Sequence, residues 1–144
     1  MSTNQSSNTP AKSTLLRTYA ITNSVLLIGI TVALWYLRAQ SDRNGIPPSG
    51  NLGFRTEHTL VSASGWYAAQ RTGFHYAAIA ATIITALAIL AAATAIRLGA
   101  SQTWILILPP VGWIALIIAI VIAGSHADTA AISVAPNAAS GTLH

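Results

Sequence analysis

Residues 74–96 read FHYAAIAATIITALAILAAATAI, an apolar run without Asp, Glu, Lys or Arg. A helix needs about 20 predominantly apolar residues to cross the hydrocarbon core of a bilayer. Phe74 and Tyr76 stand at one end of the run, where aromatic side chains are typical of the membrane–water interface. The stretch therefore predicts a transmembrane helix and an integral membrane protein.

Two further runs share these properties, YAITNSVLLIGITVALWYL at 19–37 and WILILPPVGWIALIIAIVIAG at 104–124. Only 7% of the residues are charged, against roughly 25% in an average soluble domain. We therefore predict an all-α integral membrane protein with three transmembrane helices within 18–126. The connection at 97–103 is so short that the second and third helices must form an antiparallel hairpin. Residues 1–17 are predicted to be a disordered tail, and residues 127–144 a flexible one.

The net charge of +4 arises from Lys12 and six arginines set against three acidic residues. The arginines stand near the ends of the apolar runs, so we expect the lipid bilayer, and no nucleic acid, as their partner. The loop at 38–73 carries four of them, and the opposite side carries Lys12, Arg17 and Arg97. The positive-inside rule thus favours a cytoplasmic loop by one charge. The absence of cysteine excludes disulfides and thiolate-bound metals.

Small residues and prolines are expected to shape the helix packing. Four alanines of the second span have the spacing of a packing seam, in which small side chains let membrane helices approach closely: Ala77, Ala81, Ala88 and Ala92. Pro109 and Pro110 remove two backbone donors inside the third span, which predicts a kink. Asn23 is the strongly polar residue of the first span, and we expect it either to bond to another helix or to be solvated at the interface.

The loop at 38–73 is expected to be structured and to lie at the membrane interface. Pro47 and Pro48, with glycines on both sides, end any helix that continues from the first span. Ser62 is predicted to cap a short interfacial helix over about 62–71, which turns into the second span near Gly73.

Nine residues of the loop and of the predicted interfacial helix form a recognisable set: Asn51, Gly53, Phe54, Arg55, Thr56, Thr59, Leu60, Ser62 and Trp66. Together with the later Arg71, the set resembles the signature of the SdpI family, which lies between two spans and is followed by two more. The resemblance implies a bacterial multi-pass protein of the cytoplasmic (inner) membrane that acts through protein–protein contacts of the immunity or signalling type. Its implied partners are other integral membrane proteins or a peptide toxin. The family often has a histidine where this chain has Gln70.

We interpret residues 50–66 as a folded interfacial platform. Gly53 is expected to form the turn, and Phe54 to lie against the bilayer surface. Arg55 is expected to clamp the loop through backbone carbonyls, a carboxylate or a lipid phosphate. Trp66 is expected to pin the following helix at headgroup depth.

Catalysis and cofactors are not predicted. The three acidic residues form no paired motif, and Ser62 and His58 lie close in sequence without an evident acid to orient the histidine. His58, His75 and His126 fall on one side of the membrane, where interfacial histidines are favoured over haem or metal ligands. We therefore predict no catalytic residue, no metal and no cofactor. The alternative to an SdpI-like binding protein is a structural accessory subunit of a larger membrane complex, such as a respiratory-chain assembly.

Overall fold

The computed structural model describes residues 9–99 and 101–134, with side chains from residue 13 onward. This part of the chain forms three α-helices and no strand: α1 (Thr9–Asp42), α2 (Ala63–Arg97) and α3 (Gln102–Val134). Each predicted span lies inside one of these helices, and each helix is long and apolar enough to cross a membrane. The prediction of an all-α protein with three transmembrane helices is therefore confirmed.

All three helices are longer than a bilayer crossing requires. They contain 34, 35 and 33 residues, which corresponds to about 50 Å each at 1.5 Å per residue. The hydrocarbon core is only about 30 Å thick. Each helix therefore has several turns outside the hydrocarbon, and the loop between α1 and α2 packs against these turns.

The helix α2 lies between α1 and α3 and contacts both extensively, whereas α1 and α3 contact each other little. Polar side chains join the helices across the bilayer interior. The hydroxyls of Thr31 in α1 and Thr85 in α2 lie 2.9 Å apart. The indole Nε1 of Trp113 in α3 donates to Asn23 Oδ1 in α1 at 3.0 Å. The expectation that Asn23 bonds to another helix is thus confirmed.

The predicted seam alanines occupy the central face of α2. Ala77 and Ala81 are fully buried, and Ala88 packs against the core at half-burial. A Cβ placed on Gly112 of α3 would lie 3.6 Å from the Cβ of Ala88, so the two backbones are close at this level. Ala92 is also half-buried. These positions allow the close approach that small residues provide in membrane helices.

The prolines Pro109 and Pro110 lie inside α3, which continues as one helix from Gln102 to Val134. Pro109 is buried and Pro110 is exposed. The kink that we expect at this pair stays a prediction.

The structure places the start of α1 and the end of α3 inside the tails that the sequence predicted. The N-terminal tail was expected to be disordered up to residue 17, but α1 begins at Thr9. Pro10 fits this start, because the first turn of a helix has no acceptor for the N–H that proline lacks. The C-terminal tail was expected from residue 127, but α3 continues to Val134 and buries Ala127 and Ala131 against Ala69 of α2. Residues 1–8 and 135–144 of the predicted tails lie outside the described residues.

The predicted separate interfacial helix over 62–71 is also wrong, because α2 runs without interruption from Ala63 to Arg97. Gly73 does not form a turn there. A Cβ at Gly73 would lie 2.5 Å from the ring of Phe54 and 3.0 Å from the Cβ of Ala127. The glycine therefore makes room for the loop and for α3 on the surface of a continuous helix. Ser62 is the N-cap of this helix, as expected, and its hydroxyl accepts the Gly65 N–H at 3.0 Å.

Candidate functional site

Three polar side chains on the first turns of α2 hold the loop between α1 and α2. Trp66 and Gln70 lie one helical turn apart on the same face of α2, and Arg71 follows Gln70 in the chain. Each of them binds a different part of the loop. The loop segment held in this way begins before the predicted platform of residues 50–66, and from here on we use the name platform for residues 43–62.

Gln70 binds the middle of the platform through both ends of its side-chain amide. The backbone N–H of Phe54 donates to Gln70 Oε1 at 2.8 Å, and Gln70 Nε2 donates to the Phe54 carbonyl at 2.9 Å. Gln70 is fully buried. A side-chain amide here forms the pair of bonds that a neighbouring β-strand would form with one residue, and it satisfies polar groups that would be costly to bury unpaired.

Trp66 and Arg71 bind the segment that follows α1. The Trp66 indole is fully buried, and its Nε1 donates to the Ile46 carbonyl at 2.7 Å. Arg71 donates to Asn44 Oδ1 at 3.0 Å. Asn44 has a φ of 54°, a left-handed conformation that asparagine tolerates at the end of a helix. The side chains of α2 thereby fix how the chain leaves α1.

Arg55 clamps the platform from within. Its guanidinium donates to the Pro48 carbonyl at 3.1 Å and also to the Gly50 carbonyl. The same guanidinium lies 5.5 Å from the centre of the Trp66 ring, within the range of a cation–π contact. Of the three partners that the sequence suggested for Arg55, the structure has the backbone carbonyls.

Gly53 lies where no other residue fits without strain. Its φ of 123° belongs to a region that only glycine adopts readily. An added Cβ would lie 2.5 Å from Gln70 Oε1 and 3.1 Å from Cη2 of Trp66. The backbone at Gly53 therefore lies directly on the two side chains that hold the platform.

A second set of contacts joins the platform to the far end of α3. The Thr56 hydroxyl donates to Asp128 Oδ1, and the other carboxylate oxygen lies 3.1 Å from His58 Nδ1. Thr59 is fully buried, and its hydroxyl accepts the Thr56 N–H at 2.9 Å. Asp128 is one of the three acidic residues of the chain. Its carboxylate accepts a hydrogen bond from Thr56 and forms an ion pair with His58, so it binds the platform at two side chains.

The expectation that no acid orients His58 is therefore wrong, because Asp128 contacts it from a position 70 residues away in sequence. An Asp–His pair is two thirds of a hydrolase triad, and Ser62 would be its nucleophile. The Ser62 hydroxyl instead caps α2 and lies 3.2 Å from Ser64 Oγ. Within residues 9–99 and 101–134, no hydrogen bond joins Ser62 to His58.

Phe54 and Trp66 face protein rather than lipid headgroups. The Phe54 ring lies 5.0 Å from the ring of Phe74 and packs close to Gly73 and Gly124. We expected Phe54 to lie against the bilayer surface and Trp66 to reach headgroup depth. Trp66 is fully buried against protein, so it does not reach the headgroups. The Phe54 ring is half-buried, and Gly73 and Gly124 leave space for it beside α2 and α3.

Leu52 and Leu60 are the apolar side chains of the platform that remain exposed together with Val61. Leu52, which is 60% exposed, stands at the mouth of a groove of about 260 Å³ between α1 and α3. The groove is lined by Leu34, Leu37, Leu52, Phe54, Phe74 and Ile120. The space is available because α1 and α3 contact each other little.

The two remaining candidate histidines both lie beside Tyr76. The His126 ring stacks on the Tyr76 ring with centroids 4.4 Å apart, and the His75 ring meets it edge-on at 5.8 Å. In the part of the chain that the structure describes, no group of three His, Cys, Asp or Glu side chains is placed to hold a metal ion.

The structure brings eight of the ten signature residues into the contacts that hold the platform. Gly53, Phe54, Arg55, Thr56, Thr59, Ser62, Trp66 and Arg71 all take part in the contacts described above, whereas Asn51 and Leu60 are exposed. Two contributors were missed as site residues, Gln70 and Asp128. Gln70 could have been found, because it lies one helical turn after Trp66. Only the rarity of acidic residues in this chain singles out Asp128.

Comparisons of the chain with protein-family models, with curated proteins and with solved structures found no match. The resemblance to the SdpI family therefore rests on the loop residues alone and stays a prediction.

Proposed function

We propose that this chain is a small, non-catalytic, SdpI-like membrane protein that binds an apolar segment of another membrane-inserted polypeptide at the platform. The supporting observation is that the polar side chains at the platform are bound to the chain itself, whereas an apolar side chain is left exposed. The polar side chains of Arg55, Trp66 and Gln70 all bind groups of the chain itself. The group left exposed above the groove is the apolar side chain of Leu52.

A rigid loop that exposes apolar side chains favours binding over a linker role. An ordered platform loses little conformational entropy when a partner docks, which favours affinity. The exposed Leu52 and the groove lined by Phe54 and Ile120 offer apolar area to a helix or an extended peptide. A peptide toxin of the immunity type and an integral membrane protein both have segments of this kind.

The proposal is tested by placing a photo-activated cross-linking amino acid at Leu52 in living cells. Ile114 is the matched control, because it is 58% exposed, close to the 60% of Leu52, but lies on the lipid-facing side of α3. We expect a discrete protein or peptide adduct from position 52 and none of the same mass from position 114. Adducts that are the same from both positions would contradict a partner site at the platform.

Mass spectrometry of the adduct separates the two functional classes. A small peptide at position 52 supports the immunity type. A large integral protein that also copurifies in fixed stoichiometry in mild detergent supports the alternative, a structural accessory subunit of a larger assembly.

A further inference from the structure

The end of the bundle opposite the platform contains a second cavity, of about 210 Å³. It lies where α1 begins, α2 ends and α3 begins, and its wall includes Leu16, Arg17, Ile96, Gln102 and Ile105. On the same measure, a site for one water molecule needs only roughly 10–15 Å³. The cavity is therefore large enough for a group much bigger than water.

Among the described residues, the charged side chains at this end of the bundle are all positive. Arg17 lines the cavity, and Arg97 follows Ile96 in the chain. The three acidic residues of the whole sequence, Asp42, Glu57 and Asp128, lie at the platform end of the three helices. Among residues 9–99 and 101–134, the one ion pair is that between His58 and Asp128, so Arg17 has no carboxylate partner there.

The cavity also lies at the boundary between polar and apolar surroundings. Arg17 stands just before the apolar run of α1, and Gln102 is the first residue of α3. Leu16, Ile96 and Ile105 supply apolar walls beside them. A ligand that fits both parts has an anionic group joined to hydrocarbon.

We propose that this cavity binds an anionic phospholipid, with its phosphate on the Arg17 guanidinium and its acyl chains along the apolar wall. A guanidinium presents several donors in one plane and matches phosphate oxygens, which makes it well suited to such a headgroup. Basic pockets between transmembrane helices are known to bind anionic headgroups for this reason. The apolar wall distinguishes a lipid phosphate from a free phosphate ion, which has nothing to place against Leu16 or Ile105.

The experiment measures lipid retention by native mass spectrometry of the purified full chain, supplied with equal amounts of phosphatidylglycerol and phosphatidylcholine. We expect the wild type to retain phosphatidylglycerol in preference. Arg17→Gln should lower the preference at least ten-fold, whereas Arg43→Gln, which removes an exposed arginine at the platform end, should keep it. Gln102→Glu provides a second variant, because a carboxylate at the cavity wall would repel the phosphate without removing Arg17.

Three results would overturn the proposal. The wild type could show no preference between the two lipids. Arg43→Gln could lower the preference as much as Arg17→Gln, which would indicate general attraction to a positive protein. Inorganic phosphate at millimolar concentration could displace the lipid, which would indicate a site for a free anion.

Discussion

The amide of Gln70 offers the sharpest test of the platform, because it is fully buried and makes two bonds to one residue. In Gln70→Leu the side-chain volume is nearly conserved, so no large cavity forms. The N–H and C=O of Phe54 lose bonds of 2.8 and 2.9 Å. Each polar group left unpaired and buried costs about 1–3 kcal/mol. Phe54 is only half-buried, so we expect about 2–4 kcal/mol for the two groups together.

Hydrogen–deuterium exchange of the loop peptide, followed by mass spectrometry in detergent, measures this loss. A local destabilisation of 2–4 kcal/mol corresponds to roughly 30- to 1000-fold faster exchange around Phe54. The control is Gln102→Leu, which changes an exposed glutamine at the opposite end of the bundle. This variant should leave exchange of the loop unchanged.

The variant Gln70→Glu distinguishes between the two hydrogen bonds that the Gln70 amide makes with Phe54. A carboxylate can still accept from the Phe54 N–H, but it cannot donate to the Phe54 carbonyl. The protonated form can do both. Protection of the loop should therefore be low at neutral pH and should rise as the pH falls, while the wild type shows no such rise. If Gln70→Leu exchanges at the wild-type rate around Phe54, the Gln70 amide does not hold the platform.

Three further substitutions test the platform and the helix packing. Gly53→Ala should lower the thermal stability by more than Gly99→Ala, because the φ of 123° at Gly53 is the less accessible to other residues and only Gly53 has atoms within 4 Å of an added Cβ. At Gly99, whose φ is 63°, we expect only the left-handed backbone strain of about 1–2 kcal/mol. Equal losses of thermal stability in the two variants would contradict the role of space at Gly53. Ala88→Leu should lower the stability in detergent by about 1–3 kcal/mol, because the larger side chain overpacks the helix contact. Ala93→Leu is the control, because Ala93 is exposed and should accept leucine without loss. Similar melting temperatures for the two variants would remove Ala88 from the seam. Arg55→Lys should increase proteolysis of the loop nearly as much as Arg55→Ala, because one ammonium cannot reproduce the planar set of donors that reaches two carbonyls. A lysine variant as resistant to the protease as the wild type would show that positive charge alone suffices.

The three spans could be predicted because the physical signal for them is local. An apolar run such as 74–96 has only one stable form in a bilayer, a helix that satisfies its own backbone. The ends of the helices could not be predicted from the same signal. Ala127 and Ala131 resemble a flexible tail in composition, yet they are buried because α2 supplies a matching face.

The candidate site shows the same difference between local and distant information. Gly53, Arg55 and Trp66 stand out in the sequence because their residue types are unusual for a linker. The partners of Arg55 and Trp66 do not stand out, because they are backbone carbonyls. The carboxylate that binds Thr56 and His58 does not stand out either, because it lies about 70 residues away in sequence. Trp66 points into the bundle rather than toward headgroups. This direction depends on how the loop folds back, and no local pattern in the sequence indicates how it does so.

The contact between the platform and Asp128 makes the platform sensitive to bilayer thickness. The apolar run of α3 ends at Gly124, so Asp128 stands about 6 Å beyond it along the helix. That distance is close to the depth of one headgroup layer, which is roughly 5–8 Å. A leaflet thicker by about that distance brings hydrocarbon to the level of Asp128, where charged groups are costly. The bilayer must then thin around the helices to keep the pair of Asp128 and His58 in polar surroundings, because tilting would only shorten the apolar length that spans it. The height of the platform above the hydrocarbon is thus set by the length of α3, and a binding partner has to meet it at that height.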